Sequence, residues 1–409
     1  MHIQPALLAR LEAHLPATLQ ILKDMVAINS HTLNKSGVRQ LAELTSKAFA
    51  RLGFAAEYVP SVNPDFGEHL ILTRTGTGMA HIGFVSHLDT VFTAEEERRN
   101  NFTWRIAGDR IYGPGTEDIK GGTAMMWLVL QTLREAHPDV FNQTRWTLLL
   151  DSSEEMLSAD FGALCVERLK KAQAALVFEA GWREQNQFNL VAARKGRAAI
   201  RVEVSGRGAH AGNTHTRGAN AIRQLANTVE RIEALTDHSI GLTFNVGLIH
   251  GGATLNRVPH HAIAEVEMRS FSVDAYQTGL RKLKALESET TVRSVADSFP
   301  CRVSIRVTHE TPPWPKNEGS EHLIDTFREA AAELGCEIVR EERAGLSDGN
   351  FLWQTVPTLD GLGPKGDNAH CSEVSADGSK DQEYVEPGSF VPKAALNIQA
   401  LLRLLRSHP

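Results

Sequence analysis

The chain has 409 residues, 42% of them hydrophobic and 22% charged, and its formal net charge at pH 7 is -6. This length suits two domains of an ordinary globular protein, and the acidic balance argues against a nucleic-acid partner. No apolar run approaches the ~20 residues that span a membrane. Four cysteines without paired spacing favour the cytoplasm over an oxidising compartment, and they are Cys165, Cys301, Cys336 and Cys371.

The first half of the chain predicts a parallel sheet with helices on both faces. Periodic apolar residues predict helices over 4–28 and 36–52, and the first is amphipathic, unlike a secretion signal. Short apolar runs then alternate with helical stretches. Strands are expected at 80–87, 145–153 and 174–181, and helices at 121–137 and 161–172. Such strand–helix–strand alternation is typical of α/β proteins with a mostly parallel sheet.

A change of pattern near residue 198 predicts an inserted domain. Strands are expected at 198–206, 242–251, 262–271 and 301–310, and helices at 218–235 and 274–289. This order is βαββαβ, a ferredoxin-like split unit. A helix at 320–334, a strand at 336–342 and a helix at 392–407 resume the first domain. The predicted boundaries are 1–197 with 314–409 for the first domain and 198–313 for the insertion.

Histidines and carboxylates follow the predicted strands of the first domain. Ligands of an open parallel sheet bind beyond the carboxyl ends of its strands, so these side chains are expected at one edge. Nitrogen and oxygen donors suit Zn²⁺, with Mn²⁺ or Co²⁺ as alternatives, and two such ions need a bridging carboxylate. We expect two ions with Asp118 as the bridge, and the five ligands are His87, Asp118, Glu155, Glu179 and His370.

Two further carboxylates at this edge are expected to serve the reaction without binding a cation. Asp89 can accept the second ring N–H of His87 and so fix its tautomer. Glu154 is expected to act as general base and then to protonate the leaving nitrogen. Each signal alone is more often a polar strand end, a solvated turn or a helix cap. Their placement at successive strand ends favours the metal centre, whereas His81, about 20 Å from His87 along the strand, is expected to be structural.

Other motifs point to different classes of protein. "GLSDG", residues 345–349, satisfies the G-x-S-x-G pattern of serine hydrolases, but only a short span separates Ser347 from His370. "GRGAHA", residues 206–211, fits a dinucleotide pattern, but no helix follows at once. A non-catalytic dimeric binding protein is a third alternative. The presence of every predicted ligand together with Glu154 and His210 argues against it.

Six stretches of the sequence resemble the di-zinc exopeptidases and deacylases: "SHLDTV", "YGPGTEDIKGG", "SSEE", "FEAG", "GRGAHAG" and "GLGPKGDNAH". This family includes glutamate carboxypeptidase, acetylornithine deacetylase, succinyl-diaminopimelate desuccinylase and aminoacylase, and the resemblance to glutamate carboxypeptidase is the closest. It implies a zinc-exopeptidase-like catalytic domain, an inserted lid or dimerisation domain, and a cytoplasmic homodimer with two Zn²⁺ per subunit. His87 and Glu179 would hold one zinc, and Glu155 and His370 the other.

The resemblance also implies a substrate. It is a small peptide or an N-acyl amino acid, cleaved at the amide beside an amino acid with a free carboxylate. A glutamate carboxypeptidase-like exopeptidase is expected, with an N-acyl amino acid deacylase as the alternative. The glutamate at position 179 resembles the carboxypeptidases of the family more than its aminopeptidases. His210 would polarise the scissile carbonyl in the partner's site. Asn256, Arg269 and, as a further candidate, Arg343 would hold the substrate's carboxylate.

Three departures from the family pattern lie beside these positions. Ile119 follows the bridging aspartate where relatives often carry aspartate, at a position that the family associates with a cis peptide. The segment 372–382, after His370, is longer than in glutamate carboxypeptidases and could reshape substrate choice. Cys371 is expected to pack as a small residue and not to serve as a sixth ligand.

Overall fold

A computed structural model of the protein describes residues 1–156, 159–181, 183–184 and 186–406. The chain forms two compact units. The first comprises Met1–Ala192, Lys316–Glu342 and Ser347–Pro409, and the second comprises Ala193–Pro315 and Arg343–Leu346. The predicted insertion, 198–313, falls inside the second unit. None of the helices in the described part of the chain combines the length and the apolar character needed to cross a membrane.

The described residues contain ten α-helices: α1 (Pro5–Val26), α2 (Lys35–Ala50), α3 (Ala94–Arg99), α4 (Lys120–Ala136), α5 (Pro138–Gln143), α6 (Ala159–Leu169), α7 (Ala221–Glu233), α8 (Val273–Ala285), α9 (Glu318–Glu333) and α10 (Phe390–Arg406). The predicted end of the last helix, Ser407, lies outside the described residues.

The strands are β1 (Ala55–Pro60), β2 (Glu68–Arg74), β3 (His81–His87), β4 (Arg105–Ala107), β5 (Arg110–Tyr112), β6 (Arg145–Asp151), β7 (Ala174–Val177), β8 (Arg183–Glu184), β9 (Gln187–Arg194), β10 (Gly196–Ser205), β11 (Thr243–Gly251), β12 (His261–Ser270), β13 (Arg302–Thr311), β14 (Glu337–Arg343), β15 (Thr358–Leu359), β16 (Gly366–Asp367) and β17 (Tyr384–Val385).

The central sheet of the first unit has the order β1-β2-β6-β3-β7-β15. Its strands β6, β3, β7 and β15 are parallel, and β2 runs antiparallel to both β1 and β6. Alternate residues of a strand point to opposite faces. Phe84 accordingly belongs to a core that contains α1, α4 and α10, whereas Val85 belongs to a second core that contains α6. Helices thus cover both faces, and the predicted α/β class with a mostly parallel sheet is confirmed.

The second unit is a four-stranded antiparallel sheet with the order β11-β12-β10-β13. With α7 and α8 it has the βαββαβ order that the sequence predicts. Along β10, Ile200 and Val202 are buried in the core that also contains residues of α7 and α8. The intervening residues carry charge, and Arg201 pairs with Glu265 of β12. The polar–apolar alternation of this strand therefore reflects one covered and one open face.

The sequence analysis did not predict β1, β2 or β9. β1 and β2 extend the sheet as an antiparallel pair, and β1 is largely exposed, so its apolar signal is weak. β9 belongs to a separate three-stranded sheet with the order β14-β9-β8. All three strands lie outside the strand–helix alternation on which the prediction depended.

His81 begins β3 and has the structural character expected of it. It is 5% exposed, and its Nε2 lies 3.0 Å from Oγ1 of Thr147. Burial, together with the positive charge of Arg145, its neighbour on β6, lowers the pKa of His81 to about 4. The folded protein therefore binds this proton less readily than the unfolded chain does. Stability should fall as the pH drops below about 6.5 and level off below about 4.

Replacing His81 with glutamine keeps a polar, neutral side chain. Between about pH 7 and pH 5, the free energy of unfolding should fall by about 1–2 kcal/mol more in the wild type than in H81Q. Urea unfolding of both proteins at the two pH values measures this difference. H322Q, at an exposed histidine of α9, is the control. An equal loss of stability in wild type and H81Q would show that His81 does not titrate in this range.

Candidate metal centre

The carboxyl end of β3 carries the first predicted ligand. His87 is the last residue of this strand and is buried. Its Nε2 lies 2.9 Å from Oδ1 of Asp118 and 3.9 Å from Oε1 of Glu179. Its Nδ1 lies 3.0 Å from the backbone oxygen of Asp89 and 3.4 Å from Oδ1 of the same residue. When Nδ1 carries the proton, it donates a hydrogen bond to Asp89, and the lone pair of Nε2 is free to bind a cation.

Asp118 lies in the turn that precedes α4. The peptide bond between Asp118 and Ile119 is cis, so isoleucine occurs here with the peptide geometry that the family associates with this position. α4 approaches the end of β7 closely, because a Cβ on Gly122 would lie 1.9 Å from the backbone oxygen of Phe178. Glu179 follows Phe178 directly. The close approach therefore brings Asp118 and Glu179 to the same place.

Glu155 and His370 complete the set on the other side of Asp118. Nε2 of His370 lies 3.2 Å from Oδ2 of Asp118 and 3.2 Å from Oε2 of Glu155. Glu155 lies in a short 3₁₀ turn directly after β6, and the backbone of His370 is left-handed, with φ 65°. The two carboxylate oxygens of Asp118 thus face different histidines.

The potential ligand atoms form two groups that share Asp118, and within each group they lie within 4.8 Å of one another. One group is His87, Asp118 and Glu179, and the other is Asp118, Glu155 and His370. The structure therefore brings all five predicted ligands together, with the predicted bridging residue common to both groups.

The electrostatics of this centre favour positive charge. Burial acts to lower the pKa of His87, but hydrogen bonds to Asp118 and Asp89 raise it well above its usual range. Hydrogen bonds to Asp118 and Glu155 raise the pKa of His370 to about 11. Burial and the nearby charge of Asp118 raise the pKa of Glu155 to about 7. Buried carboxylates that hold protonated histidines so strongly would also hold a divalent cation, which replaces those protons.

The donor set fits two divalent cations. It consists of imidazole nitrogens and carboxylate oxygens, which suit zinc and its neighbours in the first transition row. Bound cations would polarise a substrate carbonyl and acidify the attacking water. Cys371 belongs to neither group of potential ligands among the described residues, and its Sγ lies 3.7 Å from the backbone oxygen of Glu373.

Asp89 and Glu154 lie beside the ligands. The carboxylate of Asp89 accepts hydrogen bonds from the backbone amides of Glu154, at 3.1 Å, and Glu155, at 3.3 Å. It also accepts one from the hydroxyl of Thr32, at 2.7 Å. Asp89 therefore positions the 3₁₀ turn as well as His87. Burial raises the pKa of Glu154 well above its usual range, although the charge of His87 opposes the shift. A carboxyl group with a raised pKa is suited to receiving and returning a proton.

The remaining predicted residues belong to the second unit. Nδ1 of His210 accepts hydrogen bonds from the amides of Gly212 and Asn213, at 3.1 and 3.0 Å, so a neutral ring carries its proton on Nε2. Asn256 is exposed and its backbone oxygen accepts the amide of Ala211 at 2.9 Å. Arg269 donates from Nε to Glu267 at 2.6 Å and from Nη1 to the backbone oxygen of Ala344 at 2.8 Å. Arg343 ends β14.

The serine-hydrolase alternative does not fit the surroundings of Ser347. This side chain is 2% exposed, and its hydroxyl donates to Asp360 at 2.9 Å. A nucleophile elbow presents its hydroxyl openly. The neighbouring Asp348 was missed by the sequence analysis. It is buried, and burial together with Asp151 raises its pKa well above the usual range.

Glu383 is a second residue that sequence reasoning missed. Its side chain is fully buried, and Oε1 accepts the backbone amides of Glu117 and Asp118 at 2.8 and 3.1 Å. Its own amide donates to the backbone oxygen of Cys371 at 2.8 Å. Glu383 thus connects the turn of Asp118 to the residue after His370. The sequence feature that could have identified Glu383 is its position in "EYVEP", directly after the long segment 372–382.

Replacing Glu383 with alanine should weaken metal binding, because the turn of Asp118 loses its acceptor. We expect the affinity to fall about 10- to 100-fold, whereas E383Q, which keeps an oxygen in place, should stay close to wild type. Metal content after dialysis against buffered zinc measures the affinity, and circular dichroism checks the fold. Wild-type affinity in a folded E383A protein would contradict the positioning role.

The fold and the paired ligand groups are those of a metal-dependent hydrolase with an α/β catalytic unit. The sequence pattern of peptidase family M20/M25/M40 matches residues 83–386, and the chain belongs to this family. The family resemblance inferred from the motifs is therefore confirmed.

Three similar proteins illustrate the breadth of the family. Carboxypeptidase G2 of Pseudomonas sp. strain RS-16 is 26% identical over 88% of this chain and 84% of its own length. Acetylornithine deacetylase of Pectobacterium carotovorum subsp. carotovorum strain PC1 is 25% identical over 87% of this chain and 91% of its own. The crystal structure of aminopeptidase PepT from Bacillus cereus aligns with a TM-score of 0.74 at 21% identity, over 96% of this chain and 99% of that one.

Proposed function

We propose that the protein is a di-zinc hydrolase that cleaves an amide bond beside an amino acid with a free carboxylate. The observation that carries the proposal is the pair of ligand groups joined by Asp118, with Glu154 directly before the ligand Glu155. The two ligand groups would hold the cations, which would supply Lewis-acid activation of the carbonyl and of the attacking water. Glu154 is placed to take the proton from that water and to give it to the leaving nitrogen. The first unit then acts as the catalytic domain.

The substrate class is supported by the kinds of relatives. A carboxypeptidase and an acetylornithine deacetylase both cleave an amide whose nitrogen belongs to an amino acid, and both kinds occur among the similar proteins. We favour the carboxypeptidase type, because residue 179 is glutamate and the motifs are most like those of glutamate carboxypeptidase. N-acyl amino acid deacylation is the alternative. The two differ only in whether the acyl group is itself an amino acid.

A hydrolysis screen tests this function. Dipeptides with C-terminal glutamate, N-acetyl amino acids and their C-terminal amides are incubated with the zinc-loaded protein, with and without a chelator. We expect hydrolysis of free-carboxylate substrates, its loss on chelation and its return with Zn²⁺. Mn²⁺ and Co²⁺ are tested in the same way. Activity that survives complete metal removal would refute the proposal.

We further propose that the protein acts as a cytoplasmic homodimer assembled through the second unit. β11 is an edge strand of its sheet, and it exposes Leu248 and Ile249, each more than half accessible. Exposed apolar residues on an unpaired edge are a common site of pairing between chains. Charged substitution of both residues should give a monomer by light scattering. The free cysteines support a reducing compartment.

Arg269 is proposed to recognise the substrate's carboxylate, and its replacement gives a direct test. Its guanidinium already contacts Glu267, so a substrate carboxylate and Glu267 would both contact the positive charge of Arg269. We expect R269A to lower kcat/KM for free-carboxylate substrates about tenfold more than for their amides. Steady-state kinetics on matched pairs measure the difference, with R223A, at an exposed arginine of α7, as the control. Equal effects on both substrates would remove Arg269 from recognition.

A further inference from the structure

The second unit contains a cavity of about 360 Å³ at the ends of β11 and β12 and the loop that joins them. Its lining includes one arginine and three histidines, namely Arg257, His250, His260 and His261. No carboxylate belongs to the described residues that line it. The wall of the cavity is therefore rich in hydrogen-bond donors and in groups that carry or accept positive charge.

Arg257 supplies the permanent charge, and backbone contacts hold its main chain in place. It pairs with His210 in an isolated β-bridge, and the next residue, Val258, donates its amide to Ala209 at 2.9 Å. Its guanidinium lies against Gly208, where a Cβ would stand 3.0 Å from Nε and 3.2 Å from Nη2. The absence of a side chain at position 208 leaves room for the guanidinium there. The backbone bridge therefore places this exposed arginine at the cavity.

Several arginines on this unit pair with acidic residues, and Arg257 does not. Arg197 pairs with Glu267, and Arg207 pairs with Asp297. Across the part of the chain that the structure describes, the guanidinium of Arg257 has neither an ion pair nor a hydrogen bond. An unmatched arginine in a concave site calls for an anion from outside the chain.

The histidines divide into two kinds. Nε2 of His261 lies 2.6 Å from Oε1 of Glu203, so its donor is already used. The rings of His250 and His260 have no hydrogen-bond partner within the described ranges, and both residues are exposed. They can therefore donate to a ligand that Arg257 attracts. One guanidinium and two imidazoles around a small cavity match the oxygens of a single carboxylate group.

We propose that Arg257, His250 and His260 form a binding site for a small molecule with a free carboxylate. All three residues belong to the second unit, and none of them is a proposed metal ligand. The carboxylate could belong to the substrate, where the inference rests on the proposed function, or to a separate regulatory acid. Both sources share the same chemistry and are separated below.

Direct binding tests the site itself. Glutarate is titrated into the zinc-loaded wild-type protein and into R257Q, R257K and the control R223Q, and isothermal titration calorimetry gives each Kd. We expect R257Q to weaken one glutarate site at least about tenfold, R257K to weaken it less, and R223Q to match the wild type. Circular dichroism checks that each variant is folded. Wild-type affinity and stoichiometry in R257Q, or no glutarate binding by the wild type, would overturn the proposal.

Kinetics then identify the source of the carboxylate. N-acetylglutamate and N-acetylglutamine differ only in the side-chain charge. If the site holds the side-chain carboxylate of the substrate, R257Q lowers the ratio of their kcat/KM values about tenfold, and if it holds the α-carboxylate, R257Q lowers both values together. If it holds a separate acid, both values stay constant without glutarate and R257Q abolishes the effect of glutarate on the rate. Failure to hydrolyse any substrate would refute the proposed function and leave the binding result standing.

Discussion

Replacing Glu154 with glutamine is expected to lower kcat about 10²- to 10⁴-fold while the metal content stays at the wild-type level. Glutamine has nearly the same shape and preserves the backbone hydrogen bond from residue 154 to Asp89. It cannot take a proton from the attacking water. Because Glu154 belongs to neither group of potential ligands, its loss should not release a cation.

Turnover of the best substrate from the hydrolysis screen and elemental analysis of the same protein sample measure these two quantities. E95Q, at an exposed glutamate of α3, is the matched control and should retain wild-type turnover. A fully metallated E154Q protein with kcat within about threefold of wild type would show that another group transfers the proton. A loss of metal in E154Q would instead make Glu154 a ligand.

The second large effect is expected at Asp118, which is common to both groups of potential ligands. D118A should lose both cations, and its activity should fall to that of the chelated protein. H370A removes one donor from only one group, so it should keep about one cation per chain. The two variants therefore separate a bridging residue from an ordinary ligand.

Elemental analysis after gel filtration counts the cations in each variant, and D109N, in an exposed turn, is the control. Two retained cations in D118A would contradict the bridging role, because the remaining donors would then suffice. An equal loss in D118A and H370A would mean that the two cations bind as one cooperative unit. Circular dichroism separates metal loss from unfolding.

Much of the first unit could be predicted from the sequence because its strands and helices follow local periodicity. The buried run of β3 ends at His87, and the run of β7 ends two residues before Glu179. In a parallel sheet these ends share one edge, so the ligand types and their common location followed from local patterns. Elements without such a pattern were missed, among them β2 and β9.

The distances within the centre depend on packing between remote segments. Gly122 sets how closely α4 approaches β7, and no local pattern states that a Cβ there would collide with Phe178. Glu383 illustrates the same limit. Its importance comes from accepting the amides of Glu117 and Asp118, far away in the chain.

The sequence by itself determined the family, the fold class and the identity of the proposed ligands, because strand ends and short motifs are local. Only the tertiary structure decided which oxygen of Asp118 faces which histidine, and that Arg257 lines a cavity without an acidic partner. Arg269 and Arg257 are the same residue type, so the sequence does not distinguish their surroundings. One lies beside Glu267 and the other lines a cavity without a carboxylate, because the fold alone sets which charges become neighbours.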